Sequence, residues 1–376
     1  MMNKEQTRFL ILALLSAILA MPAAAELSTF NAPGAGTTWS LECAIAFLGV
    51  LGCGTTPLAI NDSGVVVGAY SDTSIVMHGF LRTPDAHITP IDAPEAGLGL
   101  GQGTAAYAIN DLGVIAGAFQ DSQSIFHGFL RYPDGSFITI DASDAGTGAL
   151  QGTLVFNVNR EGATAGTYID SNGVNHGFLR SPGNKFASFD PDGSVFTYPC
   201  EETCLSPNGT VTGFYADANN TVHGFVRAPD GDITIIDAPK AGIGNGLGTV
   251  AASINPDGTI TGYSLDSNNV AHGFVRRRDG SLATYDDPAA STLPGAGTAA
   301  FSINIAGATA GAYWDASLVA HGFERGPFGR FANFEFRRAG TSAGQGTRPS
   351  MNNSWGSVAG WYIDGNNVNH GFVWQP

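Results

Sequence analysis

The sequence predicts an all-β fold, a seven-bladed β-propeller of four-stranded antiparallel blades, and three observations predict it. One tripeptide returns at an almost fixed interval, each interval holds four short strand-like segments, and the repeat is out of phase with the chain ends. His-Gly-Phe occurs with its histidine at 78, 127, 176, 223, 272, 321 and 370. Repetition of this period decides the architecture before any local reading does. Of the eight histidines in the chain, only His87 stands outside the tripeptide.

The second unit shows the elements in order. Strand a is expected over Thr104 to Asn110, then an Asp-Leu-Gly turn and strand b over Val114 to Asp121. Strand c runs from Ile125 to Tyr132 around His127, and Pro133-Asp-Gly135 turns the chain into strand d, Phe137 to Asp141. These segments are short, rich in β-branched and aromatic residues, and separated by Asn, Asp, Gly and Pro. No window carries a helical period, which sets helical repeats aside. Four strands per repeat of this length make one propeller blade, with a stacked β-solenoid as the main alternative.

The ring must close or leave two sheet edges open. The seventh unit ends at Phe372-Val-Trp-Gln-Pro376 with strands a to c and no d. Its missing strand is expected at Leu27 to Pro33, whose Phe30-Asn-Ala-Pro matches Ile236-Asp-Ala-Pro239. Two charge patterns bear on how the strands pair. An arginine follows each of six histidines by four residues (Arg82, Arg131, Arg180, Arg227, Arg276, Arg325), and an acid follows each arginine by ten (Asp92, Asp141, Asp190, Asp237, Asp286, Glu335). These are expected to pair across the c–d hairpin. In the seventh unit Trp374 and Asn31 occupy the two positions. An aspartate also precedes each of the seven tripeptide histidines by six residues, from Asp72 to Asp364, and is expected to accept a hydrogen bond from the imidazole across the b–c hairpin.

The pattern Asn-Asp-x-Gly-x-x-x-Gly-x-Tyr/Phe-x-Asp followed by His-Gly-Phe-Leu, as at 61–81 and 110–130, resembles the extracellular repeats of the HAF family. The resemblance covers nearly all of the chain behind its first 25 residues, with Gly where the family name carries Ala. It implies export and a propeller, and carries no catalytic residues.

Residues 1–25 read as a signal peptide. Lys4 and Arg8 precede an apolar run from Phe9 to Ala20, and Ala23-Ala-Ala25 makes a small-residue cleavage site. That run is shorter than the roughly 20 residues of a membrane span. Residues 26–376 are then one domain, secreted to the periplasm or the exterior, without a membrane span and expected as a monomer. A net charge of −15 repels phosphate backbones and so excludes nucleic acid as a partner. Four cysteines in an exported chain imply two disulfides. Three pairings exist, and the unit boundaries favour Cys43–Cys53 and Cys200–Cys204.

No unique catalytic constellation stands out. The His–Asp pairs recur in every unit, which fits sheet-holding rather than catalysis. The b–c segments such as Asp170-Ser-Asn-Gly173 and Asp266-Ser-Asn-Asn269 resemble the start of a calcium loop. They lack its sixth-position glycine and twelfth-position acid, so turns are expected, with calcium the one cofactor they raise. The Gly-rich run Gly97 to Gly103 precedes a strand and lacks a P-loop lysine, so no nucleotide site is expected there. Irregular positions are more informative. About twelve extra residues between Asn31 and Gly54 hold Trp39 and Glu42, and the fourth unit places Tyr198, Glu201 and Glu202 around its cysteines. Both loops fall on the face shared by the d–a and b–c connections, so these five residues are the expected ligand contacts.

Two functions follow. One is a non-catalytic binding module whose ligand is a glycan or an extracellular protein. The other is a hydrolase or lyase acting on extracellular polysaccharide, which needs two facing carboxylates. Adjacent Glu201 and Glu202 would point to opposite faces of a strand.

Overall fold

The computed structural model describes residues 26–40, 52–199 and 203–376. The 1–25 segment, Glu42, Cys43, Cys200, Glu201 and Glu202 lie outside the described residues. Every regular element among those described is a strand. In the second unit the strands are Gly103–Ile109, Ile115–Gln120, Phe126–Arg131 and Phe137–Ile140, each within a residue of its expected bounds. They pair antiparallel in sequence order, a with b, b with c and c with d. The same order returns along the chain, and the architecture is that of a β-propeller.

Period-two alternation puts His78, Phe80 and Arg82 of strand c on one face. The tripeptide phenylalanine is the centre of each unit's core: Phe80, Phe129, Phe178, Phe225, Phe274, Phe323 and Phe372 are all completely buried. Removing such a ring costs about 3–5 kcal/mol. The glycine beside it is demanded by packing. A Cβ on Gly128 would stand 2.5 Å from Val155 of the next unit, and one on Gly371 would stand 2.7 Å from Phe30. The tripeptide therefore carries Gly where Ala would clash.

Adjacent units are joined in two ways. Strand c touches the next strand a in parallel, as at Met77–Gly103 and Ala271–Gly297. Gly103 has φ +124°, and a Cβ there would lie 1.9 Å from the Met77 carbonyl, so only glycine permits that approach. The buried threonine that follows accepts a hydrogen bond from the amide two residues past the preceding strand d. Thr104 takes the Ala93 N–H and Thr153 the Ala142 N–H, each at 2.9 Å.

The N-terminal strand, Glu26–Phe30, pairs antiparallel with Val368–Gln375, placing Phe30 opposite Gly371 and Thr29 opposite Phe372. It also makes the threonine staple, with the Ala32 N–H 2.9 Å from Thr55 Oγ1. The two chain ends thus share one sheet.

The expected arginine–acid pairs do not form. The c–d register sets Arg82 opposite Ile88 and Gly79 opposite Ile91, which leaves Asp92 opposite His78. A ten-residue separation is too long for this hairpin by four. Three of the arginines instead lie over aromatic rings of the preceding unit: Arg82 is 4.8 Å from Phe30, Arg227 5.1 Å from Phe189 and Arg325 4.2 Å from Tyr285. Trp374 takes the same place by stacking on Phe334 at 4.7 Å and 10°. Its exchange for arginine therefore preserves an inter-unit stack, and Asn31 answers to a different partner.

Candidate functional site

The histidines lie between two acids. Nδ1 is 2.8 Å from Asp92 in His78, 3.1 Å from Asp141 in His127, 2.7 Å from Asp190 in His176, 2.8 Å from Asp237 in His223 and 2.9 Å from Asp286 in His272. In the closing sheet His370 meets Asn31 at 2.8 Å, whereas His321 and Glu335 are 3.8 Å apart. Nε2 faces the aspartate six residues earlier, at distances from 3.3 Å for Asp364 to 3.8 Å for Asp217. Only His321 and His370 come within hydrogen-bond reach of it. The aspartate works mainly on its own turn: Asp217 Oδ1 accepts the N–H groups of Asn219 (2.9 Å) and Thr221 (2.8 Å). Most of the imidazoles also stack on an aromatic ring at about 5 Å, as His78 does on Tyr70. The hydrogen bond that His78 donates to Asp92 raises its pKa despite burial, and the one to Asp141 does the same to His127. This arrangement ties the b–c turn to the end of strand d.

The d–a connections hydrogen-bond to the b–c turns, as from Gly101 N–H to Ile75 and from Gly295 N–H to Asn269, so both occupy one face. Clefts open there beside two histidines. One of about 400 Å³ is bordered by Asn31, Arg338, Tyr362, Asp364 and His370, and one of about 260 Å³ by His176 and Asp190. A third, of about 210 Å³, lies between the fifth and sixth units against Tyr263, Phe301 and Trp314.

A cavity of about 500 Å³, larger than these clefts, is on the opposite face, where the a–b turns meet around the axis. Its wall includes Leu58, Ile109, Ile254, Ile303 and Met351, with Asp62, Asp111, Arg160 and Glu161 at its edge. A belt of asparagines encircles it. Each Nδ2–H donates to the carbonyl of its counterpart in the next unit: Asn61 to Asn110 (3.2 Å), Asn110 to Asn159 (3.0 Å), Asn255 to Asn304 (3.2 Å), Asn304 to Asn353 (3.0 Å) and Asn353 back to Asn61 (3.1 Å). Asn159 donates to Ser206, where the belt has no asparagine, and the Ile254 N–H reaches Thr203 instead. The asparagine of the Asn-Asp-x-Gly pattern was visible in the sequence. Its role across units was not, because periodicity within one unit carries no information about its neighbour.

Of the expected ligand contacts, Trp39 is 48% exposed on the segment between the first strand and the first unit. Tyr198 is half-buried in an aromatic cluster with Phe156 (4.8 Å) and Phe214 (5.4 Å), so it packs between units. Cys53 and Cys204 are the described cysteines, and neither is a free thiol. Arg348, which departs from the repeat, donates to the Gly344 carbonyl at 2.9 Å, and burial lowers its pKa. Trp355 is exposed and donates to the Asp62 carbonyl at 3.1 Å, bridging the last unit to the first. Burial also pushes the Glu324 carboxyl up to about 7, at a position held by Leu81, Leu130 and Leu179 elsewhere. Among the described residues no group of three or more His, Cys, Asp or Glu is placed to hold a metal ion, and no helix is long and apolar enough to cross a membrane.

No protein-family model matches the chain, and no curated protein matches it either. Among solved structures it is similar to puromycin hydrolase, with 11% identity and a TM-score of 0.50 over 90% of this chain. It spans 57% of the length of that protein. It is equally similar to the BP39L lectin from Burkholderia pseudomallei, with 9% identity and a TM-score of 0.50 over 84% of this chain and 94% of the lectin. At such identities the likeness speaks to the fold alone.

Proposed function

We propose that this chain is an exported, seven-bladed propeller of four-stranded blades, closed by its N-terminal strand, that binds carbohydrate without transforming it. The HAF-type repeat and cleavage after Ala25 belong to this reading, as do a monomeric state and disulfides Cys43–Cys53 and Cys200–Cys204. One observation carries the non-catalytic part. The chemically active side chains, His and Asp, recur in equivalent places and are engaged in holding each unit together. A catalytic group is instead one set apart from its repeats by position or environment.

Carbohydrate is supported by clefts that combine aromatic rings with carboxylates and amides, a combination that meets the C–H faces and hydroxyls of a sugar. The lectin likeness makes it the first ligand class to test. Contacts are assigned to the face carrying the d–a and b–c connections, where Trp39 is exposed, and Glu42, Glu201 and Glu202, which lie outside the described residues, are kept as candidate contacts. A glycan array followed by calorimetry tests the reading. Saturable binding with the glycan recovered intact is the expected result. Shortened or unsaturated products from a bound polysaccharide would assign the enzyme instead, and an empty array would remove carbohydrate.

A further inference from the structure

The columns of the repeat show where a specific pocket has been opened. Just before strand a the chain carries glutamine in three units, and that side chain spans the d–a connection and the following b–c turn. Gln102 accepts the Gly99 N–H at 2.9 Å and donates to Ser124 at 3.1 Å. Gln151 accepts from Gly148 (2.8 Å) and donates to the Ser171 carbonyl (3.1 Å), and Gln345 accepts from Ser342 (3.0 Å) and donates to Asn367 (2.8 Å). At the junction of the fifth and sixth units the same column holds Ala296, which fills none of that space and bridges nothing. Ala271 and Ala299 stand beside it.

The walls change in the opposite sense. Tyr263 occupies a strand-b column that holds Ala69, Ala118, Thr167 and Ala312 in four other units and an aromatic residue, Phe214 or Trp361, in two. Trp314 occupies one that is otherwise without an aromatic residue, holding Ser71, Gln120, Ile169, Ala216, Leu265 and Ile363. The result is the cavity of about 210 Å³, with Phe301 as its third ring. Tyr263 and Phe301 meet edge to face, 6.2 Å apart at 81°, so the rings present walls in two planes. At the rim is Asn269, exposed on its b–c turn. Its counterpart Asn367 accepts from Gln345, but the glutamine column of its own unit holds Leu247, which has no donor to offer. No charged residue lines the cavity.

We propose that this cavity is a binding site for a single neutral sugar ring, stacked by its C–H face on Trp314 and Tyr263 and hydrogen-bonded through hydroxyls to Asn269. The site deepens the carbohydrate reading above and rests on it. Neutrality follows from the lining: a carboxylated sugar would lose water around its charge and gain no cation in return. Polar contacts confined to an amide and backbone groups suit hydroxyls, which both donate and accept.

The test uses the full chain and a panel of D-glucose, D-galactose, D-mannose, L-fucose, N-acetyl-D-glucosamine and D-glucuronate. Calorimetry and tryptophan emission are read for the wild type, Ala296→Gln, Trp314→Ala and Asn269→Ala. At least one neutral sugar should bind and perturb tryptophan emission, with glucuronate weaker than glucose. Each variant should lower affinity by about tenfold or more, the factor carried by one lost interaction of ordinary size. Ala296→Gln restores the residue of three other units and should keep the wild-type unfolding midpoint, which separates a filled site from a misfolded chain. Sugar binding unchanged by Ala296→Gln and Trp314→Ala would overturn this site while leaving the carbohydrate reading standing. No binding of any panel sugar would overturn the site, and together with an empty array would remove the reading beneath it.

Discussion

The asparagine belt offers a graded test of how the units are held in a ring. Asn110 is 8% exposed and its side chain makes three hydrogen bonds. Its Nδ2–H donates to the Asn159 carbonyl at 3.0 Å, and its Oδ1 accepts from Leu112 and Val114 N–H groups, each at 3.0 Å. Asn110→Ala removes all three, and at about 1 kcal/mol each the loss is about 2–4 kcal/mol. Asn110→Ser should cost less, because the molecule already contains that case. Ser206 has no side-chain reach to the next unit, yet its Oγ still accepts the Thr210 N–H of its own turn at 3.0 Å. Serine at 110 should therefore retain part of the turn and lose the inter-unit bond, for about 1–2 kcal/mol. Equilibrium urea denaturation reads both as a lower midpoint at unchanged slope. Equal costs for Ser and Ala would refute the division into turn and inter-unit parts, and unmoved midpoints would refute the belt as a source of stability.

The Glu324 carboxyl, pushed up to about 7 by burial, binds protons more tightly folded than unfolded. Stability should be greatest below the unfolded value near 4.5 and fall as pH rises towards about 7, by about 1–3 kcal/mol after screening at this partly exposed site. Glu324→Leu and Glu324→Gln should both flatten that dependence in denaturation curves between pH 4.5 and 8, and a slope identical to wild type would exclude Glu324 as its source. At Trp374, arginine should be tolerated far better than alanine, since Arg82, Arg227 and Arg325 stack in the same place. Trp374→Ala should cost about 3–5 kcal/mol by thermal or urea unfolding, and Trp374→Arg costing as much would show that burial rather than stacking fixes the residue. Peptide mapping without reduction should recover Cys43 linked to Cys53 and Cys200 linked to Cys204, and a fragment joining Cys53 to Cys204 would contradict that pairing.

Much of the fold was legible because the repeat multiplies every weak signal. Strand limits in the second unit were read to within a residue, and the sharing of one sheet by the chain ends followed from Leu27 to Pro33 matching strand d. Side-chain partners were less legible. Six arginines and six acids at constant separation invited pairing, but constancy shows only that both columns are retained. The register of a hairpin is set by its turn, and this turn places the acid against histidine. The arginine's ring partner belongs to the preceding unit, as Phe30 does for Arg82, at a sequence distance that no local pattern encodes. Trp374 carried the clue. An indole replacing a guanidinium is awkward for an ion pair and natural for a stack.

The same contrast explains why the candidate pocket was harder to see than the frame. Side chains that hold each unit, such as the tripeptide phenylalanine and the threonine after Gly103, are uniform because every unit faces the same packing problem. A pocket serving one ligand needs departures, and departures hide in columns that look permissive. Alanine at 296 and leucine at 247 are unremarkable by composition, and aromatic residues at 263 and 314 look like ordinary strand residues. Their meaning comes from what stands in the other units: in three of them a glutamine that would fill the space, and at the position of Trp314 no aromatic residue in any. In a ring of equivalent units, specificity is therefore carried by coordinated exceptions. At this junction the lost glutamine and the gained rings act on one volume, which is what separates a built site from tolerated variation.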